Sequence, residues 1–522
     1  MPGDLAPALR QSLAALLGAG GLLTDPAERL AYGYDNSRRQ GLPLAVALPT
    51  TAAQVQAVVK LCRAARLPIV ARGRGTNTTG ASVPGEDALV LSFERMNRVL
   101  AIRPGDRVAV VEPGLLNGDL QAALAPHGLF WPPDPTSAGY CSIGGNLACN
   151  AGGPRAVKYG ATRDNVLALT AVTGSGELVR FGAPTTKGAS GYDLSRILIG
   201  SEGTLALIVE ATLKLTPIAT HRRALRALYA DVDSAAAAVA RLMAQPVTPS
   251  MLEFMDGDCV RLAREVGGAE LLPAMDGPMP RAQEAQERLP AMDGPMPRAQ
   301  EAQERLPVGA LLMIEADGDA AGLDSAVAAL TAAAQGPGCL EVTSASDEAA
   351  REKLWAARKA LSPALRTLAP GKINEDVVVP VSRLPDLVAA VRRIAAAQSL
   401  PIVCFGHAGN GNLHVNILYD PADAAQAARA DAALDAVFDA VIALDGQVSG
   451  EHGIGLAKRE LLARALSPQA IALMRAIKAQ FDPDGILNPG KVLPPAAAAG
   501  GRQDVPSARG FPDLPAANGE AR

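Results

Sequence analysis

Of the five histidines in the 522-residue chain, two flank a glycine turn in Phe405-Gly406-His407-Ala408-Gly409-Asn410-Gly411-Asn412-Leu413-His414-Val415-Asn416. A third follows a carboxylate in Ser449-Gly450-Glu451-His452-Gly453. Two imidazoles and a carboxylate, here His407, His414 and Glu451, make a donor set for a divalent metal with positions left open for substrate and water. The competing reading is a glycine-rich turn whose histidines are satisfied by ordinary hydrogen bonds. A His pair across a turn, together with Glu-His in a second glycine-rich loop, favours the metal.

The elements that must position these groups are legible from the pattern. Pro401 to Phe405 is an apolar run and predicts a strand; the stretch after Asn412 alternates with period two and predicts another. Gly409, Asn410 and Gly411 form the turn between them, so the segment reads as a hairpin. Alternation places His414 and Asn416 on one face and Leu413, Val415 and Ile417 on the other. His407, at the far end of the turn, reaches the first face.

The chain is 48% apolar and 20% charged with a net charge of −4, so it is globular and offers no basic face for nucleic acid. At ~100–200 residues per domain it divides into two to four domains. The six cysteines show no CxxC, which points to free thiols in a reducing compartment. The first residues read as an amphipathic helix rather than a signal peptide, and no apolar run of transmembrane length occurs. A cytoplasmic protein is expected, with docking at the inner membrane left open.

In the first half, helices are expected at Leu9 to Leu17, Ala53 to Ala65 and Leu116 to Leu124. Strands are expected at Ala45 to Pro49, Pro68 to Ala71, Ala88 to Leu91, Arg107 to Val111 and Val166 to Thr173. Arg72-Gly73-Arg74-Gly75-Thr76-Asn77-Thr78-Thr79-Gly80-Ala81 follows a strand but precedes no helix. It is neither a P-loop nor a good dinucleotide fingerprint. It offers backbone N–H groups to an anion, and a plain surface loop competes with that reading. Further glycine clusters at Ile143-Gly144-Gly145-Asn146, Asn150-Ala151-Gly152-Gly153 and Gly200-Ser201-Glu202-Gly203-Thr204 suggest backbone wrapped closely round an extended ligand.

These clusters, with Pro-Asp-Pro-Thr-Ser at 133–137, Gly-Tyr-Asp-Leu at 191–194, the histidine hairpin, Gly-Glu-His-Gly at 450–453 and Asn-Pro-Gly-Lys at 488–491, carry a resemblance. Residues from about 43 to 217 resemble the flavin-binding domain of the vanillyl-alcohol oxidase type. Those from about 220 to 495 resemble the C-terminal domain of FAD-linked oxidases. The chain is similar to the D-lactate dehydrogenases, glycolate oxidase D subunits and D-2-hydroxyglutarate dehydrogenases of that family.

The resemblance implies an α+β fold in two parts. Residues 1–220 would form a two-part flavin-binding domain. Residues 221–495 would form an α+β substrate and metal domain with an antiparallel sheet, and 496–522 a disordered tail. It implies noncovalent FAD, because the first loop holds neither His nor Cys. Arg72, Gly73, Arg74, Gly75, Thr76, Asn77, Gly80 and Ala81 would hold the pyrophosphate. Pro135, Thr136, Gly144, Gly145, Asn150, Gly153 and Gly160 would line the isoalloxazine and ribityl chain. Glu202, Gly203, Ile208 and Asn488 would complete the site. Asn77 and Ala81 stand where the family often has glycine, and Asn tolerates positive φ; Asn410 stands where the family usually has Asp.

The same resemblance puts Arg358, Ser362 and Lys372 at the substrate carboxylate and Asn416 as a hydrogen-bonding orienter. His452 would be the general base and His407, His414 and Glu451 the ligands of a divalent ion, zinc first, manganese or iron second. The implied reaction is oxidation of a D-2-hydroxy acid to the 2-oxo acid, D-lactate favoured over D-2-hydroxyglutarate. Electrons would pass on to an electron-transfer flavoprotein, cytochrome or quinone. A homodimer is expected, without nucleic-acid partners. Two other readings stand beside it: a flavin subunit of a glycolate oxidase-type complex, and a flavin-free metal-binding protein. The 17-residue unit Leu272 to Arg288 recurs unchanged as Leu289 to Arg305, and its Pro and charge content predicts an exposed, mobile insertion.

Overall fold

Short β-branched and apolar runs punctuated by glycine and proline give the first half of the chain a four-stranded sheet, a five-stranded sheet and the short antiparallel pair Leu129–Phe130 and Thr216–Pro217. In the four-stranded sheet, Leu22–Leu23 pairs antiparallel with Ala45–Ala47, which lies parallel to Leu89–Ser92 and through it to Ile69–Arg72. Parallel neighbours need a crossover, and the helix Ala52–Ala64 supplies it. Thr51 caps its N-terminus, accepting from Gln54 N at 3.2 Å, and Val55, Val58, Val59 and Cys62 are buried on its inner face. The second sheet is antiparallel, in the order Val99–Arg103, Val108–Val111, Ala206–Lys214, Val166–Thr173 and Leu178–Gly182.

The computed structural model describes residues 4–267, 308–345, 347–365 and 368–495. The duplicated stretch 272–305 and the tail 496–522 lie outside the described residues. Among the described residues, no helix is long and apolar enough to cross a membrane.

The second half is built on a seven-stranded antiparallel sheet. Its order is Cys339–Ser344, His221–Tyr229, Ala310–Gly318, Met251–Asp256, Ile402–Gly406, Asn412–Tyr419 and Gly371–Val378. One face is covered by the helices Val232–Ala244, Ala320–Ala334, Leu384–Gln398 and Ala424–Ala443. Leu413 and Val415 point into that core beside Phe254, Leu312, Val437 and Phe438. The pleat sends His414 and Asn416 to the other face, where Phe405 faces His414 and Val403 faces Asn416 across the hairpin. The helix Glu348–Ala364 and the helix Gly257–Gly267 cover part of this second face through Leu354, Leu361, Cys259 and Leu262. The seam they leave open holds the site.

After the hairpin domain the chain returns to the first half. Phe481, at the end of the helix Pro468–Phe481, packs against Phe181 at 6.0 Å between ring centroids. Leu487 bridges parallel to Ile69, and Asn488 N donates to Ile69 O at 2.7 Å.

The glycine cluster at 143–146 opens the helix Ile143–Cys149, with Ser142 Oγ accepting from Gly145 N at 3.3 Å. A Cβ on Gly144 would stand 2.7 Å from Pro113 Cβ, so glycine here serves close packing of a helix and not a turn.

Candidate active site and metal centre

His407 and His414 sit on either side of the hairpin turn with ring centroids 5.4 Å apart and planes nearly perpendicular. Glu451 arrives from the loop after Val448. Its Oε1 lies 3.4 Å from His407 Nε2 and 3.7 Å from His414 Nε2. One donor atom from each of the three falls within 4.8 Å of the others, a spacing one ion can bridge. Both imidazoles are buried, and His414 Nδ1 is buried with no hydrogen-bond partner. The N₂O donor set fits a borderline-soft divalent ion such as zinc.

Electrostatics divide the two rings. Burial alone would lower His407, but Glu253 and Glu451 override it and hold it up to about 10. Burial, and then the neighbouring His407, push His414 down to about 3. Against the cost of burial, His407 and the other two histidines hold the Glu451 carboxyl down to about 2. Within the cluster the carboxylates favour a proton on His407 and burial keeps one off His414; a bound cation would take the place of that proton.

His452 stacks on His414, with centroids 5.4 Å apart and planes at 23°. Its Nδ1 lies 3.5 Å from Asp376 Oδ1. Asp376 is fully buried and binds the loop from below. Its Oδ2 accepts from the backbone N of Gly450, Glu451 and His452 at 2.7, 2.5 and 3.0 Å, and Lys458 Nζ donates to its Oδ1 at 2.9 Å. Burial works against ionisation, but His452, Lys458 and these N–H groups hold Asp376 well below the usual carboxylate range. A fixed anion on one ring nitrogen sets the orientation of a histidine and leaves the other nitrogen to work.

These groups share a cavity of about 1090 Å³ with the glycine-rich loops of the first half. That is just above the usual range of ligand clefts, roughly 300–1,000 Å³, and suits an elongated cofactor beside a small substrate. Arg72, Gly73, Arg74, Gly75, Thr76, Asn77, Ala81, Pro135, Thr136, Gly144, Gly145, Glu202, Gly203 and Ile208 all line it, as do Arg358, His407, His414, Glu451 and His452.

Other expected residues stand elsewhere. Gly80 packs against Arg39 and Leu456, Gly153 against Asp134, and Gly160 against Asp164. Asn150 caps a helix at φ +52, and its Oδ1 accepts from Arg163 N. Asn488 Nδ2 donates to Ala81 O and Glu202 O behind the cavity wall. These five shape the wall without lining it. Arg72 lines it, but its guanidinium donates to Tyr34 O and Ala31 O, so its side chain braces the loop. Asn77 does not adopt positive φ. Its Oδ1 accepts from Thr79 N and Ala81 N and sets the turn instead.

On the substrate side, Lys372 sits in the strand Gly371–Val378 off the cavity wall, while Asn374, two residues on, lines the cavity with a buried, unpartnered Oδ1. Asn416 is fully buried off the cavity wall; its Nδ2 donates to Val403 O and His414 O, while its Oδ1 is buried without a partner. Ser362 lies in the helix Glu348–Ala364, and its side chain falls outside the described residues.

Sequence reasoning missed Glu253. This fully buried residue on Met251–Asp256 places Oε1 2.5 Å from His407 Nδ1, and its Oε2 accepts from Arg358 Nε at 2.7 Å. It links the expected carboxylate-binding arginine to the expected metal ligand. Nothing local in Leu252-Glu253-Phe254 signals this, because its partners lie 105 and 154 residues away. A carboxylate behind a ligating histidine orients the ring and raises its basicity. Glu253→Gln is expected to weaken metal binding about 10–100-fold. Unchanged affinity in a chelator competition would show that Glu253 does not act through His407.

Comparison with known proteins shows the family of the chain. The family model described as FAD linked oxidases, C-terminal domain, matches residues 218–492, and an FAD binding domain model matches 43–182. The glycolate oxidase subunit GlcD of Bacillus subtilis is 36% identical over 468 residues, 90% of this chain and 93% of that one. A D-lactate dehydrogenase of Anaerostipes hadrus is 32% identical over 445 residues, 85% of this chain and 88% of that one. A D-2-hydroxyglutarate dehydrogenase of Stutzerimonas stutzeri is 33% identical over 492 residues, 93% and 99% of the two chains. The fold matches a solved structure of p-cresol methylhydroxylase with substrate bound, at TM-score 0.72 and 18% identity over 93% of this chain and 96% of that one. That likeness speaks for the two-domain architecture alone.

Proposed function

The chain belongs to the FAD-linked oxidases, and from that premise we propose that it oxidises a D-2-hydroxy acid, with D-lactate first, to the corresponding 2-oxo acid. The observation that carries the reading is the grouping of His407, His414, Glu451, His452 and Arg358 along one wall of the cavity whose other walls are the glycine-rich loops. Similar relatives bear three different substrate names at 32–36% identity, so identity alone does not choose among them. D-lactate is placed first on the wording Asn374-Glu375-Asp376-Val377-Val378-Val379-Pro380 and on the relative named for it.

FAD, when bound, supplies the hydride acceptor, and a divalent ion on His407, His414 and Glu451 supplies a Lewis acid at the substrate hydroxyl. The chain does the rest. Arg358, its Nε fixed by Glu253 and its guanidinium 4.5 Å above the Phe405 ring, presents a cation to the substrate carboxylate. Asn374 offers an unpartnered amide oxygen to a substrate hydroxyl or water. His452 takes the hydroxyl proton on Nε2, since Nδ1 faces Asp376, and that carboxylate balances the imidazolium formed. The FAD is held noncovalently in this reading. Cys149 lines the cavity, but burial pushes its thiol up to about 12, which leaves it a poor nucleophile.

Anaerobic mixing with a panel of 2-hydroxy acids tests the proposal. D-enantiomers should bleach the flavin absorption, D-lactate faster than D-2-hydroxyglutarate, while L-enantiomers leave it unchanged. An isolated chain that no D-2-hydroxy acid bleaches would overturn it. The glycolate oxidase relative favours a second reading, a flavin subunit active only with partner chains; bleaching restored by added partners would favour that one.

A further inference from the structure

The loop that carries Glu451 and His452 belongs to the second half of the chain but is held in place by the first. Glu202, in Gly200-Ser201-Glu202-Gly203-Thr204, lines the cofactor cavity. Its Oε1 accepts from Ile454 N at 2.6 Å and its Oε2 from Gly455 N at 2.8 Å. Asn77, from the first glycine-rich loop, donates to His452 O at 2.9 Å. Thr79 O accepts from Leu456 N and Ala457 N at 2.9 and 3.0 Å. Gly152, in the third cluster, stands where a Cβ would lie 3.2 Å from Glu451 Oε2, a tight contact from which the carboxylate would have to shift by a few tenths of an ångström.

Glu202 is an expensive way to hold a loop. It is 4% exposed, and Lys458 and Lys491 act on it only from beyond ion-pair distance. A buried carboxylate supported by two amides costs desolvation that a neutral acceptor would avoid. Its backbone is held at φ +52, a conformation a non-glycine residue keeps only when its surroundings over-determine it. Asn488, donating to Glu202 O at 2.7 Å, is one such constraint.

We propose that Glu202 is a positioning residue that couples the cofactor cavity to the metal centre, so that FAD and a divalent cation each raise the other's affinity. This rests on the reading of His407, His414 and Glu451 as a metal site. The segments 72–81 and 201–208 form the cofactor wall on one side and grip residues 452–457 on the other. A ligand that fixes them lowers the ordering cost left for the second ligand. Linkage then requires the effect to run equally in both directions.

The test is the FAD dissociation constant of the full-length chain, read from flavin fluorescence with zinc and with a chelator, zinc content being measured in parallel. Zinc should tighten FAD binding about tenfold, within the ~5–150-fold usual for coupled sites. In Glu202→Gln, which keeps the shape but turns one acceptor into a donor facing an N–H, the ratio should fall toward one. Zinc bound by the native chain without effect on FAD affinity would overturn the coupling and leave the metal centre standing. Failure of the native chain to bind zinc would overturn both. A folded Glu202→Gln variant, judged by circular dichroism, that keeps the full ratio would remove Glu202 from the role.

Discussion

Replacing His452 with alanine is expected to lower the rate of flavin reduction by about 10²–10⁴-fold, the scale of general acid–base catalysis, while FAD content stays unchanged. The expectation follows from the pairing of His452 with a buried carboxylate. Asp376 accepts three loop N–H groups and Lys458, so it stays fixed when the ring is removed. The loop keeps its shape when the imidazole is removed, because Asp376 holds backbone atoms of Gly450, Glu451 and residue 452 and does not depend on the side chain. The loss therefore falls on chemistry rather than on folding. Stopped-flow reduction by D-lactate measures it, and a rate near that of the native chain would remove His452 from proton transfer.

The second large effect is expected at the hairpin. His407→Ala should strip the chain of its divalent ion, with affinity reduced by more than the ~10–100-fold that loss of an outer-shell partner costs. His407 is the ring that meets both carboxylates, Glu253 through Nδ1 and Glu451 through Nε2. Removing it leaves Glu253 with Arg358 alone and separates Glu451 from the ligand nearest to it. Elemental analysis of purified protein, with native chain beside the variant, is the measurement. Equal metal content would mean that the ion sits elsewhere or that the cluster is an ion-pair network without one. Circular dichroism serves as the control for folding, and FAD affinity, measured in parallel, should fall with the metal if the two sites are coupled.

Much of this is legible in the amino-acid sequence. The alternation after Asn412 set which face His414 takes, because side chains on a strand must alternate and the apolar set had to meet a core. The glycine turn between two apolar runs fixed the hairpin and so the distance between two histidines. Joint motifs across the chain gave the family and the cofactor, and most of the residues they implied line the cavity. Thr51 before an amphipathic run marked a helix start that the backbone uses.

Other features were not legible, for reasons that are physical. Glycines at 144 and 145 look the same in a loop and in a helix pressed against Pro113; only the neighbour distinguishes them. Lys372 and Asn374 have the same facing in one strand, and where the cavity ends along that strand decides which of them lines it. Glu253 and Asp376 are single carboxylates in apolar strands, with nothing beside them to announce a role.

The amino-acid sequence by itself determined the elements, their inward faces and the kinds of side chain available for chemistry, since these depend on periodicity and turn residues within a few positions. Only the tertiary structure decided which buried charges meet: Glu253 between His407 and Arg358, Asp376 beneath His452, and Glu202 reaching across the two halves of the chain. Pairing a buried charge depends on distances between residues far apart in the chain, and no local pattern of residues encodes those.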